Sequence, residues 1–136
     1  FMKDFYPRWN EGRARELMEY LGLSSDQKIG ELSKGNAAKV NLILGLSLNT
    51  DYVLLDEPFS GVDIFAKEKI RALFSSHFIE DRAILLTTHE IDEVEHLLDR
   101  VVILSEGTIV KDFYTEQVRL DEGKSVIDML REVHEG

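Results

Sequence analysis

Apolar residues along the chain alternate between two periods. Across residues 11–22, Ala14, Leu17, Met18 and Leu21 recur at helical spacing with Arg and Glu on the other face, which predicts an amphipathic helix. Asn10 is its candidate N-cap and Gly22 its stop. Residues 23–35 are polar apart from Ile29 and Leu32 and read as a connection. A second helix is expected over 37–48, apolar through Val40, Ile43, Leu44 and Leu48. The period then changes. Asp51-Tyr52-Val53-Leu54-Leu55-Asp56 is a short continuous apolar run bounded by acids, the pattern of a buried parallel strand. Helical spacing returns over 64–78 through Ile70, Leu73, Phe74 and Phe78, and Ala83-Ile84-Leu85-Leu86-Thr87-Thr88 is a second buried strand. Ile91, Val94 and Leu98 mark a further helix. Val101 to Leu104 and Thr108 to Val110 flank Glu106-Gly107, a two-residue hairpin signal. A last helix is expected over 123–136, with Val126, Ile127, Leu130 and Val133 inward.

Strands alternating with helices predict an α/β fold with a mostly parallel sheet flanked by helices, after a helical stretch of about 35 residues. A chain of 136 residues is the size of one domain, and 43% hydrophobic with 31% charged residues is a globular rather than a disordered composition. No apolar run reaches the ~18 residues of a membrane helix, and no cysteine is present for a disulfide or a thiolate metal site. The start, Phe1-Met2-Lys3-Asp4-Phe5, lacks the basic-then-apolar order of a signal peptide and is read as the start of a piece of something longer. Net charge is −10, with 26 acids against 16 scattered bases. That balance lacks the basic face of a nucleic-acid binder. A polyphosphate would have to be held by local amides, one or two bases and a metal, against an unfavourable overall field.

Three short segments carry candidate chemistry. Ligands of open α/β sheets sit at the carboxyl ends of strands, and Leu54-Leu55-Asp56-Glu57-Pro58 is such an end. Its first carboxylate could hold Mg²⁺ and its second could orient or deprotonate a water; a solvated acidic turn closed by Pro58 is the plainer alternative. Thr87-Thr88-His89-Glu90 ends the second strand, where a histidine can donate to a phosphate oxygen or simply cap the surface. His77, His96 and His134 lie outside any motif. Leu32-Ser33-Lys34-Gly35-Asn36 opens a helix, where backbone amides and the dipole favour an anion; Ser33 as an ordinary N-cap is the alternative.

Order and spacing bring these segments together. Asp56 follows Ser33 by 23 residues, His89 follows Asp56 by 33, and Ser60-Gly61-Val62-Asp63 begins four residues after Asp56. In this arrangement the chain resembles the ATP-binding-cassette (ABC) ATPases from about Arg13 to Asp112. Leu32 to Asn36 is similar to their signature motif, Tyr52 to Pro58 to Walker B with its following glutamate, Ser60 to Asp63 to the D-loop, and His89 to the switch histidine. The family's signature reads Leu-Ser-Gly-Gly-Gln, so Lys34 and Asn36 depart from it. Lys34 keeps a positive charge where a phosphate would sit, and Asn36 keeps an amide on a shorter arm.

The resemblance implies a partial P-loop NTPase fold: the end of the helical subdomain over 1–35, the C-terminal half of the core ATPase subdomain over 36–112, and an extension over 113–136. It implies ATP and Mg²⁺ as ligands, with Asp56 holding the metal through water, Glu57 polarising the attacking water and His89 touching the γ-phosphate. Ser33, Lys34, Gly35, Asn36 and Asp63 would serve the ATP of a partner subunit in a head-to-tail homo- or heterodimer. It further implies the nucleotide-binding subunit of a transporter, cytoplasmic and peripheral on the inner face of the cell membrane, touching the membrane only through transmembrane partner subunits. Phe5-Tyr6-Pro7-Arg8-Trp9 resembles the exporter-type subunits of bacteria in a region that faces those partners; packing of the helical subdomain is the alternative role for these aromatics. No Gly-x-x-x-x-Gly-Lys-[Ser/Thr] occurs in these 136 residues. The chain is therefore expected to be a fragment that is inactive alone. The strand ahead of that loop would lie between the strand ending near Thr88 and the one beginning near Val101, so both are expected to lack a partner, which invites self-association. A non-transport ABC ATPase acting on DNA or the ribosome, and a non-catalytic interaction module, are the competing readings.

Overall fold

The computed structural model describes residues 2–24, 33–79 and 81–135, and Leu32, the first residue of the signature-like segment, lies outside them. The chain divides into two compact units, residues 1–90 and 91–136.

The first unit runs α1 (Met2–Phe5), α2 (Glu11–Leu21), α3 (Lys34–Leu46), β1 (Tyr52–Asp56), α4 (Ile64–Leu73) and β2 (Ala83–Thr87). Asn10 caps α2 by accepting from the Arg13 amide, and Gly22 ends it in the left-handed conformation at φ 69°, as expected from the sequence. Helix α3 starts earlier than the predicted residue 37, because the Ser33 side chain accepts from the Asn36 amide and places Lys34 in the first turn. At its other end the carbonyls of Leu46 and Leu48 receive two guanidinium groups. Arg82 donates to Leu46 at 2.9 Å, to Leu48 at 2.6 Å and to Thr50 at 2.9 Å, while Arg13 reaches the same two carbonyls at 3.4 and 3.5 Å. Cations there satisfy the orphan carbonyls and oppose the negative end of the helix dipole. Helix α4 stops at Leu73 rather than continuing to residue 78. Ser76 Oγ donates to the Leu73 carbonyl at 2.6 Å and accepts from the Phe78 amide at 3.3 Å, replacing helical bonds with a side-chain turn.

Strands β1 and β2 pair in parallel with Asp56 opposite Thr87. Among the described residues helices cover one face only. Val53 and Leu55 join Leu17, Leu21, Leu42, Ile43, Leu46, Phe59, Ile70 and Leu73 in the buried core. On the other face Tyr52, Leu54 and Leu85 stand 73%, 74% and 64% exposed. The sequence expectation of strands buried on both faces is thus corrected. The apolar residues are those of a doubly covered parallel sheet, and the described residues supply one layer of helices. At the start of the unit Phe5 and Tyr6 are exposed, so they do not pack a helical core, and Trp9 instead donates to Glu11 Oε2 at 2.8 Å.

The second unit contains α5 (Ile91–Val94), a 3₁₀ turn (Glu95–Leu97), β3 (Arg100–Ser105), β4 (Thr108–Tyr114), α6 (Thr115–Glu122) and α7 (Val126–Glu135). The single helix expected over 91–98 breaks at Val94 into the tighter turn. The hairpin forms as predicted, with positive φ at both Glu106 and Gly107, the left-handed pair that a two-residue turn requires. Helix α6 was not anticipated, since only Thr115 and Val118 on it are buried and its pattern carries no apolar stripe. Ile103, Val118 and Met129 form the core here, with Val101, Phe113, Leu130 and Val133 packed against them. Among the described residues β2 pairs only with β1 and β3 only with β4.

Candidate active site

The carboxyl end of the β1–β2 pair gathers Asp56, Glu57, Thr87 and His89. Opposite registration places Thr87 beside Asp56, and the Thr87 hydroxyl donates to Asp56 Oδ1. The chain then turns sharply: Glu57 has φ +46°, a left-handed conformation that a non-glycine residue rarely adopts. Its amide donates to the Thr87 carbonyl at 3.0 Å and also approaches the Thr87 hydroxyl at 3.3 Å. Its carbonyl accepts from Ser60 at 3.1 Å, which starts the Ser60–Asp63 loop. This turn aims the Glu57 side chain at the second strand end, where Oε1 lies 2.8 Å from His89 Nδ1. The other oxygen, Oε2, is buried with no hydrogen-bond partner. Buried carboxylate oxygens are costly to leave unpaired, so Oε2 marks a position where a donor belongs. The Glu57 hydrogen bond, then the Glu57 charge, push the pKa of His89 above its ordinary value, although the ring itself is largely exposed.

A second cluster lies at the N-terminus of α3. A β-carbon built on Gly61 would stand 3.8 Å from the Lys34 β-carbon, and one on Gly35 would stand 3.9 Å from the Gly61 carbonyl oxygen. The Ser33–Asn36 segment and the Ser60–Asp63 loop therefore lie side by side. Gly61 has φ +70°, so its glycine is required by the backbone. Asp63 caps α4, accepting from Phe65 and Ala66 at 3.0 Å each. The Ala66 amide bond is the main cause that lowers its pKa.

All four sequence motifs thus fall in the first unit, in two groups: Asp56, Glu57 and His89 together, and Ser33, Lys34, Gly35 and Asn36 beside the Asp63 loop. Three participants were not singled out from sequence. Thr87 could have been found by aligning the two strand ends, since the first strand ends in Asp and the second in Thr. Lys67 and Glu90, which pair with each other, carry no such signal. Among the described residues no three or more His, Asp or Glu side chains converge as a metal cage.

Known proteins similar to this chain share one description. No family model matches the chain. It is 45% identical over 83 residues to an uncharacterized ABC transporter ATP-binding protein of Methanocaldococcus jannaschii, covering 61% of this chain and 32% of that protein. It is 34% identical over 119 residues to an aliphatic sulfonates import ATP-binding protein of Nocardia farcinica, covering 85% of this chain and 47% of that protein. Among solved structures, the ATP-binding subunit of an ABC transporter superposes with a TM-score of 0.78 at 25% identity, over 91% of this chain and 54% of that one. An ATP-binding cassette of an ABC transporter superposes at 0.65 and 27% identity, over 77% and 42%. The fold is therefore a partial ABC-ATPase fold. The resemblance to ABC ATPases is shown: the chain's curated and structural neighbours alike are ATP-binding proteins of ABC transporters. The chain spans 32% and 47% of the length of those two curated relatives.

Proposed function

We propose that this chain is part of the ATP-binding and ATP-hydrolysing subunit of a membrane transporter. The observation that supports this most directly is the Glu57–His89 contact of 2.8 Å beside Asp56, at the carboxyl end of a parallel strand pair. In this reading Glu57 orients and polarises the water that attacks the γ-phosphate. Its buried, unpartnered Oε2 fits an acceptor for that water. His89, held through Nδ1, presents its other ring nitrogen to the phosphate side. Thr87 fixes the rotamer of Asp56 while leaving the second carboxylate oxygen available. A single such oxygen suits Mg²⁺, which keeps several waters and takes one or two carboxylates beside phosphates. When bound, the metal supplies neutralisation of phosphate charge. The helix start at Ser33, Lys34 and Gly35 offers amides and one cation, and Asn36 its side-chain amide, to the triphosphate of a partner subunit, with Asp63 at the same dimer surface. Catalysis of this kind is positioning and charge compensation rather than covalent chemistry.

The proposal extends to dimerisation, to transmembrane partner subunits, and to an inner-face location; no helix among the described residues is long and apolar enough to cross a membrane. It names no direction of transport, because one relative is an import protein by name while Phe5–Trp9 resembles exporters. It also keeps the division into a helical segment over 1–35, a core over 36–112 and an extension over 113–136.

Two measurements test it. In a protein where this chain is continuous with a phosphate-binding loop, Glu57→Gln is expected to lower turnover by roughly 10²–10⁴-fold while nucleotide affinity is retained. Undiminished turnover would exclude Glu57 from the chemistry, and a parent without ATPase activity would favour the interaction-module reading. The 136-residue chain alone, which contains no phosphate-binding loop, is expected to neither hydrolyse ATP nor bind it tightly. Calorimetric Mg-ATP binding in the micromolar range would contradict that.

A further inference from the structure

Besides Glu57, the Lys67 side chain grips the histidine segment. Lys67 lies in the first turn of α4, its amide donating to the Asp63 carbonyl at 2.9 Å. Its ammonium forms an ion pair with Glu90 Oε2, and the two side chains are only 18% and 23% exposed. Glu90 directly follows His89, and its amide donates to Thr88 Oγ1 at 3.0 Å, which tightens the turn that carries the ring. The histidine segment is thus held on one side by Glu57 at the end of β1 and on the other by Lys67 on the helix that Asp63 caps.

A mostly buried ion pair gains little net stability, because desolvation offsets attraction; its best-attested use is to fix one arrangement among several. The Arg15–Glu11 pair in the same unit differs: both side chains are more than half exposed, and exposed pairs of that kind contribute little. We propose that Lys67 and Glu90 are a positioning pair that holds the 88–90 turn so that His89 Nδ1 meets Glu57, and so ties the Asp63 loop to the histidine. This rests on the reading of Glu57 and His89 as a working pair, yet its structural core can be read without nucleotide.

The readout is the tautomer of His89. A neutral ring that bonds a carboxylate through Nδ1 carries its proton there. Long-range ¹H–¹⁵N spectra of the 136-residue chain at alkaline pH report that proton directly, and Glu57→Gln serves as the reference for a weakened bond. The Nδ1–H form is expected to dominate in the parent, to become the minor form in Lys67→Met and in the near-isosteric Glu90→Gln, and to recover in the charge-swapped Lys67→Glu/Glu90→Lys. Should Lys67→Met fail to fold, Glu90→Gln and the swap carry the test. Folded single variants that keep the Nδ1–H form would overturn the proposal, as would a folded swap that does not recover it. The catalytic reading fails separately: if the tautomer responds as expected but His89→Ala leaves ATP turnover unchanged in the loop-bearing protein, the pair positions a ring that takes no part in hydrolysis.

Discussion

At the scale of single residues, the Glu57–His89 contact makes a pH prediction. Its hydrogen bond and charge raise the folded-state pKa of His89 above the ordinary value of 6.5. The sign follows from linkage. The contribution of this contact is fully present below the unfolded pKa and is lost as pH rises through the raised one. The ring is too exposed for the effect on stability to be large, so titration is the better readout. Following the His89 Cε1 proton by NMR, Glu57→Gln is expected to bring the midpoint down toward the ordinary value. An unchanged midpoint would mean that the contact does not persist in solution. Asp56, Glu57 and His89 were legible in the sequence because each terminates a strand-like run, and strand ends are where such folds do chemistry. The Glu57–His89 contact itself was not, because it depends on a left-handed turn at a glutamate, which local propensity disfavours and the surrounding hydrogen bonds impose. Lys67 was illegible for a different reason: a lysine in an amphipathic helix reads as part of the solvated face until the fold brings Glu90 against it.

At the scale of elements, helix ends explain where sequence and structure agree. Asn10, Gly22 and the Glu106-Gly107 turn act through backbone geometry of their immediate neighbours, which the sequence displays. The premature end of α4 and the presence of α6 depend on a serine turn and on packing against the β3–β4 hairpin, and no local period announces either. Helix α3 adds a stability prediction. Its C-terminal carbonyls depend on Arg82, which binds three carbonyls of the 46–50 stretch at once, those of Leu46, Leu48 and Thr50. Arg82→Met keeps an apolar stem and removes every one of those donors. It should destabilise the first unit by about 1–3 kcal/mol, seen as a lower denaturant midpoint at constant slope. An unchanged midpoint would show that Arg13 alone satisfies the helix end. The Asp63 cap of α4 gives the opposite pH sense to His89. Amide bonds hold its pKa below 3.8, so its contribution is present above that value and fades as pH falls through the lowered one. The stability gap between the parent and Asp63→Ala should therefore narrow in acid, and a gap independent of pH would argue against the charged cap.

For the molecule as a whole, the exposed face of β1–β2 sets the expected behaviour in solution. Parallel sheets are ordinarily covered on both faces, and the alternating burial of Tyr52–Asp56 leaves Tyr52 and Leu54 uncovered beside Leu85. Covering either leucine contributes about 1.5–3 kcal/mol, and β2 also offers an edge with no strand beside it among the described residues. Apolar area and free backbone groups on one surface favour pairing with a second copy whenever nothing else covers them. The isolated 136-residue chain is accordingly expected to self-associate, with a weight-average mass that rises with concentration in sedimentation experiments. Leu54→Glu together with Leu85→Lys should lower that mass toward the 15.6 kDa monomer and leave the helical signal intact, because neither side chain belongs to the buried core. The acidic net charge of −10 opposes association at long range, so raising the salt concentration should strengthen it in the parent and matter less in the double variant. A parent chain that stays monomeric at every concentration would show that this face is covered from within the chain.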